Sequence, residues 1–249
     1  MRQTLAGKTA LISGAGQGIG RGIAKLFSTL GAKLILVDKD PSGLMTLQKE
    51  LSETVTATLD ISDPSQIDKT LQPIIDLHGP ITILVNNAAS VTRRAPITEL
   101  PIEEWNQALS VNLTGAFLLS RVSIKQMKEA GGGVILNVAS QLGHVAVEGA
   151  AAYCTTKGGI LQLTRAMALD HAKDNIRVVA LSPGAVLTPR LQTIFGSDEN
   201  AERALRASHP MDRLAQVDEI AQAALFLVSD SASFITGTDL VADGGYIAR

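Results

Sequence analysis

Short, continuously apolar runs alternate with longer amphipathic runs along almost the whole chain. Seven of the short runs predict strands, at residues 9–12, 34–37, 56–59, 81–85, 134–138, 176–181 and 239–242. Six of the longer runs predict helices, at residues 19–30, 41–51, 64–77, 101–129, 150–172 and 217–228. The strands lack apolar–polar alternation, which is typical of strands covered by helices on both faces. The pattern therefore predicts an α/β fold: a three-layer, doubly wound parallel sheet of about seven strands.

One long stretch, residues 185–216, shows no clear periodicity and follows directly on the end of a predicted strand. Pro189, Gly196 and Pro210 interrupt it, with room for short helices between them. Long irregular segments in compact domains are commonly functional, so we interpret this one as a substrate lid. No linker divides the remaining sequence, and one α/β core can occupy a chain of 249 residues. We expect a single domain over residues 1–249.

Composition narrows the possible partners. The net charge is −2, and hydrophobic residues make up 45 % of the chain against 18 % charged residues. This balance does not favour a nucleic-acid partner, and no apolar run approaches the ~18 residues that mark a membrane span. The start of the chain has no apolar signal-peptide region, and Cys154 alone cannot form an internal disulfide. The four histidines lack metal-ligand spacing. We expect a cytoplasmic protein with no membrane partner and no metal site.

A glycine-rich segment joins the first predicted strand to the first predicted helix. It reads Ser13-Gly14-Ala15-Gly16-Gln17-Gly18-Ile19-Gly20, with G-x-x-x-G-x-G spacing through Gly14, Gly18 and Gly20. Glycines let the backbone approach a pyrophosphate, and the start of the helix offers unpaired N–H groups and a partial positive charge. A plain glycine-rich turn is the alternative, but the position between strand and helix favours a dinucleotide cofactor.

The acidic residues at two strand ends bear on the choice of cofactor. Asp38 ends the second predicted strand, eighteen residues after Gly20, where a carboxylate accepts hydrogen bonds from ribose hydroxyls and repels a 2′-phosphate. Gln17 adds no positive charge to the glycine segment, whereas Lys39 could approach a phosphate. These residues favour NAD over NADP. Asp60 ends the third strand, where it could meet the adenine amino group or serve as an ordinary turn aspartate.

A tyrosine and a lysine in the predicted helix 150–172 form the candidate reactive pair. Tyr153 precedes Lys157 by four residues, so both side chains lie on one helix face. The ammonium would lower the pKa of the phenol from about 10 toward neutrality, as a general acid–base requires. The hydroxyl of Ser140 could hold a substrate oxygen beside the phenol. Taken alone, such a pair is more often a solvated helix face, so its weight depends on the other motifs.

Together these motifs resemble the short-chain dehydrogenase/reductase family in its single-domain form. The resemblance covers nearly the whole chain, and Ser13 and Ala89 depart from its usual threonine and glycine. It implies a Rossmann-like fold, a nicotinamide cofactor and a homotetramer. It rests on Gly14, Gly18, Gly20, Asp60, Asn86-Asn87-Ala88-Ala89, Asn112, Ser140, Tyr153, Lys157 and Pro183-Gly184 with Thr188.

The resemblance implies a role for each matching residue. Tyr153 would exchange the alcohol proton, Lys157 would bond the nicotinamide ribose and keep Tyr153 acidic, and Ser140 would orient the substrate oxygen. Asn112 would hold a water that links Lys157 to solvent, and Asn86 would pack near the adenosine. The implied cofactor-binding residues are Gly14, Gln17, Gly18, Ile19, Gly20, Asp38, Asp60, Ile61, Asn87, Ala88, Tyr153, Lys157, Pro183, Gly184, Val186 and Thr188.

We therefore expect an NAD(H)-dependent oxidoreductase that transfers a hydride between the nicotinamide and a small secondary alcohol or ketone. The first alternative is an NADPH-dependent 3-oxoacyl-[acyl-carrier-protein] reductase, against which Gln17 and Asp38 count. The second is a catalytically silent nucleotide sensor, against which the intact serine, tyrosine and lysine set counts.

The sequence does not choose the substrate. The lid mixes apolar side chains with Arg190 and Asp198, which suits a sugar, a hydroxy acid, a cyclic alcohol or a hydroxysteroid. His144 lies in the segment between Ser140 and Tyr153, where substrate contact and plain solvent exposure both remain open. Arg93-Arg94 could hold an anionic substrate, although an exposed pair is the simpler interpretation.

Overall fold

The structure, a computed structural model, describes residues 4–248. Its centre is one parallel sheet whose strands are Thr9–Ser13 (β1), Lys33–Asp38 (β2), Thr54–Thr58 (β3), Ile83–Asn86 (β4), Gly133–Val138 (β5), Ile176–Pro183 (β6) and Asp239–Ala242 (β7). The strand order is β3-β2-β1-β4-β5-β6-β7, and all neighbours pair in parallel. The chain therefore moves outward in one direction from β1 and then in the other from β4, which confirms the predicted doubly wound sheet.

Helices cover both faces of this sheet. Within residues 4–248 they are Gly18–Thr29 (α1), Pro41–Glu50 (α2), Pro64–His78 (α3), Ile102–Leu109 (α4), Ala116–Glu129 (α5), Ala151–His171 (α6), Pro189–Phe195 (α7), Asp198–Leu205 (α8) and Val217–Val228 (α9). Successive residues of β1 point to opposite faces: Ile12 packs in one apolar cluster with Phe27 of α1, and Leu11 packs in another with Leu119 of α5. This double burial explains why the central strands are continuously apolar, whereas the edge strands β3 and β7 are only partly buried.

The predicted helix 101–129 is interrupted in its middle. A π-helical turn over Ser110–Gly115 separates α4 from α5. The side chain of Asn112 fixes this turn, because its Oδ1 accepts from the backbone N–H of Ser90 at 2.7 Å and its Nδ2 donates to the Ser90 carbonyl at 3.0 Å. Such turns are frequent at functional sites, and this one places Asn112 beside the segment that follows β4.

A buried amide pair joins the two central strands β4 and β5. Asn86 and Asn137 are partners in the strand register, and Nδ2 of Asn86 donates to Oδ1 of Asn137 at 2.8 Å. Nδ2 of Asn86 also donates to Ser120 of α5 at 3.1 Å, and Nδ2 of Asn137 donates to Thr164 of α6 at 2.9 Å. The network ties the sheet to both helices that flank the site described below.

Residues 185–216 leave the end of β6 and return to it. The backbone N–H of Leu187 donates to the carbonyl of Ala215, and the N–H of Ala215 donates to the carbonyl of Ala185, each at 2.9 Å. The segment between these bonds contains α7 and α8. Among residues 4–248, no helix combines the length and the apolar character needed to cross a bilayer.

Candidate active site

A cavity of about 770 Å³ lies where the carboxyl ends of the strands meet α1, α6 and the 185–216 segment. Doubly wound sheets bind their ligands at this edge, next to the point where the strand order reverses. Most of the residues predicted from the sequence line it: Gly14, Gln17, Gly18, Ile19, Asp38, Asp60, Ile61, Asn87, Ala88, Ser140, Tyr153, Lys157, Pro183, Gly184, Val186 and Thr188. Gly20 and Asn112, which were also predicted, are not among the residues that line the cavity.

The glycine segment is a tight turn held by its neighbours. Gly14 and Gly18 have φ of +64° and +54°, in the left-handed region that favours glycine. A Cβ on Gly20 would collide with the carbonyl oxygen of Gly14, so the third glycine serves close packing. Nδ2 of Asn87 donates to the carbonyls of Ser13 and Gly14, each at 3.0 Å. These contacts fix the shape of the turn.

The start of α1 faces this turn with its N–H groups available. Gln17 occupies the N-cap position but its side chain makes no capping hydrogen bond, and the first turn of the helix contains no acidic residue. An uncapped helix N-terminus in a glycine turn is suited to a phosphate or pyrophosphate. The residues present therefore fit the diphosphate of a dinucleotide.

We predict that Gly20→Ala weakens NADH binding strongly, because the new methyl group must displace the backbone at Gly14. Titration of the protein with NADH, followed by fluorescence, should show binding weakened by about tenfold to a hundredfold, since such overpacking costs roughly 1–3 kcal/mol. Gly158→Ala is the matched control: a Cβ there would meet the Gly143 carbonyl at an ordinary 3.5 Å. Equal NADH affinity in both variants would contradict the packing described.

Two carboxylates mark the far end of the cavity. Oδ2 of Asp38 accepts from the N–H of Gly16 at 3.0 Å, and Oδ1 accepts from the N–H of Asp40 at 3.1 Å. Oδ1 of Asp60 accepts from the backbone and the hydroxyl of Ser62 at 2.9 and 2.6 Å. Both carboxylates are thereby oriented, and each keeps lone pairs for a ligand hydroxyl or amino group.

The predicted reactive residues come together at the other end of the cavity, just after β5 and on α6. Nζ of Lys157 lies 5.7 Å from the centroid of the Tyr153 ring and donates to the carbonyl of Val138 at 2.7 Å. Ser140 follows β5, and its Oγ accepts from the N–H of Leu142 at 3.1 Å, which orients the hydroxyl at the cavity wall. The three side chains therefore share one wall, and Lys157 is the most buried of them, only 3 % exposed.

The expected fall in the pKa of Tyr153 is wrong. Burial raises the pKa of the phenol above its ordinary 10.0, and the Arg190 guanidinium and the Ser140 hydroxyl only oppose this rise. Burial, with the nearby charge of Arg190, also lowers the pKa of Lys157 from 10.5 to about 7. An ammonium that is itself desolvated carries less than a full charge near neutral pH. The pair spacing indicated proximity, but it contained no information about desolvation.

The amide group of Asn112 makes three hydrogen bonds inside the protein, and its oxygen keeps a second lone pair. Besides the two bonds to Ser90, its Nδ2 donates to Oγ1 of Thr156 at 3.0 Å. Both amide hydrogens are thus engaged, and Asn112 is buried. Its partner Thr156 directly precedes Lys157 in α6. Its position supports the helix that presents Tyr153 and Lys157.

Several other sequence interpretations change with the structure. Asn86 does not line the cavity but forms the amide pair between β4 and β5. His144 does not line the cavity either: its Nε2 lies 2.6 Å from Oδ2 of Asp239. Arg190 of α7 does line it, beside Tyr153. Among residues 4–248, no cluster of three or more His, Cys, Asp or Glu side chains could hold a metal ion.

Comparison with known proteins places this geometry in context. Residues 14–247 match the family model described as enoyl-(acyl carrier protein) reductase. The chain is 39 % identical to D-threitol dehydrogenase of Mycolicibacterium smegmatis, over 98 % of this chain and 95 % of that protein. A short-chain type dehydrogenase/reductase from Mycobacterium marinum superposes with a TM-score of 0.92 and 30 % identity, over 99 % and 98 % of the two chains.

A second solved structure was crystallised with a nicotinamide cofactor. The 3-ketoacyl-(acyl-carrier-protein) reductase from Brucella melitensis, complexed with NADH, superposes with a TM-score of 0.90 and 38 % identity, over 98 % of this chain and 99 % of that one. The family match, the whole-length relatives and the strand order agree. The chain therefore belongs to the short-chain dehydrogenase/reductase family and is an oxidoreductase.

Proposed function

We propose that this protein is an NAD(H)-dependent dehydrogenase of small secondary alcohols, or a reductase of the corresponding ketones. The observation that carries the proposal is one cavity with Asp38 and the glycine turn at one end and Ser140, Tyr153 and Lys157 at the other. Bound NAD would supply the hydride acceptor. The protein would bind and orient both reactants and move one proton.

Each residue of the set has a role that follows from its position. The phenol of Tyr153 would take the proton of the alcohol oxygen on oxidation and return it on reduction. The hydroxyl of Ser140, already oriented by Leu142, would donate to the same substrate oxygen. The buried ammonium of Lys157 would bond ribose hydroxyls and, when charged, favour the tyrosinate. Asn112 would hold α6 in place and link Lys157 through a water to solvent.

A screen of alcohols and polyols tests the proposal directly. Threitol, glycerol and related compounds are offered with NAD and with NADP, and NADH or NADPH formation is followed by absorbance. D-threitol is the natural starting point because of the relative named above. Binding of NADH without turnover of any alcohol or ketone would instead support the nucleotide sensor.

The choice of NAD rests on Asp38. We expect Asp38→Asn to raise kcat/KM for NADP relative to NAD by about a hundredfold, because like-charge repulsion of a 2′-phosphate costs several kcal/mol. The asparagine keeps an oxygen for the N–H of Gly16. Asp40→Asn is the matched control. Oδ1 of Asp40 caps α2 by accepting from the N–H of Ser42 at 2.9 Å, and Asp40 lies outside the cavity. A wild-type preference for NADPH would overturn the argument.

The second candidate is a 3-oxoacyl-[acyl-carrier-protein] reductase. The 38 % identity with the Brucella enzyme favours it, whereas Gln17 provides no cation for the extra phosphate of NADPH. Reduction of an acetoacetyl thioester with NADH and NADPH separates the two candidates. A rate with the thioester that exceeds the rates with small ketones would select the reductase.

We further propose that residues 1–249 form one domain, that residues 185–216 act as a substrate lid and that the protein is a cytoplasmic homotetramer. The lid is supported by α7, whose residues Arg190, Leu191 and Ile194 form part of the cavity wall. Light scattering of the purified protein tests the oligomeric state: the mass of a monomer or a dimer would refute the tetramer.

A further inference from the structure

The guanidinium of Arg190 is the least explained charge in the cavity. It is half-buried in the wall at the end where Tyr153 lies. Within residues 4–248 it forms no ion pair and donates no hydrogen bond, and it acts electrostatically on Tyr153 and Lys157. A guanidinium has five N–H donors arranged for carboxylate or phosphate, so a half-buried one without acceptors is poised for a ligand.

The charged side chains of the cavity are unevenly distributed: its glycine-turn end contains the cation Lys39 as well as carboxylates. Its carboxylates, Asp38 and Asp60, both belong to strand ends on the side of the glycine turn. The side that contains Tyr153 is lined by Lys157, Arg190 and Arg94, with no carboxylate among them. The substrate end is therefore cationic, although the chain as a whole has a net charge of −2.

Arg93 and Arg94 are consecutive in the chain, but only the guanidinium of Arg93 is bonded within the protein. Arg93 donates to the carbonyl of Glu99 at 3.0 Å and forms an ion pair with Glu104 at 3.2 Å, outside the cavity. Arg94 lines the cavity instead, and in the described chain it has no ion pair. Of two consecutive arginines, one stabilises a surface segment and the other is left facing the substrate end.

We propose that the substrate is an alcohol or ketone that carries an anionic group, a carboxylate or a phosphate ester, which Arg190 binds and Arg94 assists. This rests on the proposed oxidoreductase function and narrows its substrate class. The anionic group is a spectator of the hydride and proton transfers: it holds the reacting carbon beside Tyr153. Apolar side chains of the lid, such as Leu191 and Ile194, would exclude water from the ion pair and strengthen it.

The test compares matched substrates that differ only in the anionic group: a polyol, the hydroxy acid with the same stereochemistry, and the polyol phosphate. Wild-type kcat/KM should be higher for one of the two anions than for the polyol. Arg190→Gln should lower the ratio of kcat/KM for the anion to kcat/KM for the polyol by about a hundredfold, because the charge-assisted hydrogen bonds to the anionic group are lost. Arg190→Lys should recover part of this ratio. Arg93→Gln, which removes an arginine bonded to Glu99 and Glu104 outside the cavity, should leave the ratio unchanged.

The two anions distinguish the possible sources of the charge. A ratio that is high only for the hydroxy acid identifies a carboxylate, and one high only for the phosphate identifies a phosphate ester. NADH affinity and thermal unfolding of each variant show that the fold is retained. The preference of the wild type for the anionic substrate should also weaken with added salt, since part of the attraction between Arg190 and the anionic group is Coulombic.

Three results would overturn the inference while the proposed function stands. The wild type could oxidise polyols no less well than either anion. Arg190→Gln could lower kcat equally for all substrates and move the pH profile to higher pH, which would make Arg190 a residue that acts on Tyr153. It could also weaken NADH binding by about tenfold or more without changing the ratio, which would make it a cofactor ligand. If no substrate reacts with either nicotinamide, the proposed function fails and this inference fails with it.

Discussion

Tyr153→Phe should lower kcat by about a thousandfold, the size of effect expected when a positioned acid–base group is lost. The variant loses one oxygen atom and keeps the aromatic ring that packs 5.7 Å from Nζ of Lys157. NADH binding should therefore change little. Steady-state rates of alcohol oxidation, together with a fluorescence titration of NADH, measure both quantities on the same protein.

The chain contains its own matched control for this experiment. Its other tyrosine, Tyr246, lies outside the cavity and packs against His209 with ring centroids 5.2 Å apart. Tyr246→Phe removes the same atom from a different place and should retain most of the activity. If Tyr153→Phe retains full turnover, Tyr153 does not exchange the proton, and the proposed mechanism is wrong.

Lys157→Met should flatten the pH dependence of the protein's stability. In the folded protein the pKa of Lys157 is about 7, against 10.5 for the free side chain. Between these values the unfolded chain binds a proton that the folded chain does not, so the free energy of unfolding rises with pH. A fully desolvated lysine would contribute about 1.4 kcal/mol per pH unit, which is an upper limit. Below pH 7 both states are protonated and the penalty is constant.

Urea unfolding followed by circular dichroism at several pH values between neutral and moderately alkaline conditions measures this slope. At higher pH the raised pKa of Tyr153 acts in the opposite sense, because the unfolded phenol ionises first. Lys125→Met removes an exposed lysine and should leave the slope intact. A wild-type slope that survives in Lys157→Met would show that another group titrates. Lys157→Met should also lose most of its oxidoreductase activity, since the ribose would lose its cationic partner.

The central strands were predictable because their apolar runs are long enough to be buried on both faces. Their ends were less so: β6 continues to Pro183, two residues past the predicted end, where it pairs with Ala242 of β7. The break in helix 101–129 was not predictable, since Ser110–Gly115 is set by the bonds between Asn112 and Ser90. A local pattern contains no information about that tertiary contact.

The sequence predicted most of the residues that meet in the cavity, but it did not predict their electrostatics. Spacing along the chain was enough to bring Tyr153, Lys157 and the glycine turn to one cavity. Arg190 was recognised only as a lid residue, because its approach to Tyr153 depends on how α7 folds over the strand ends. The direction of the pKa shift of Tyr153 depends on the water removed by that same packing.

The amide pair of Asn86 and Asn137 has a consequence for how the chain assembles. If β4 slid along β5 by one position, every inward side chain of β4 would be turned to the opposite layer. An amide would then be stranded among hydrocarbon groups, without the acceptors now supplied by Asn137 and Ser120. Misaligned intermediates should therefore be short-lived, and the two central strands should lock together only when the carboxyl ends that form the cavity are level.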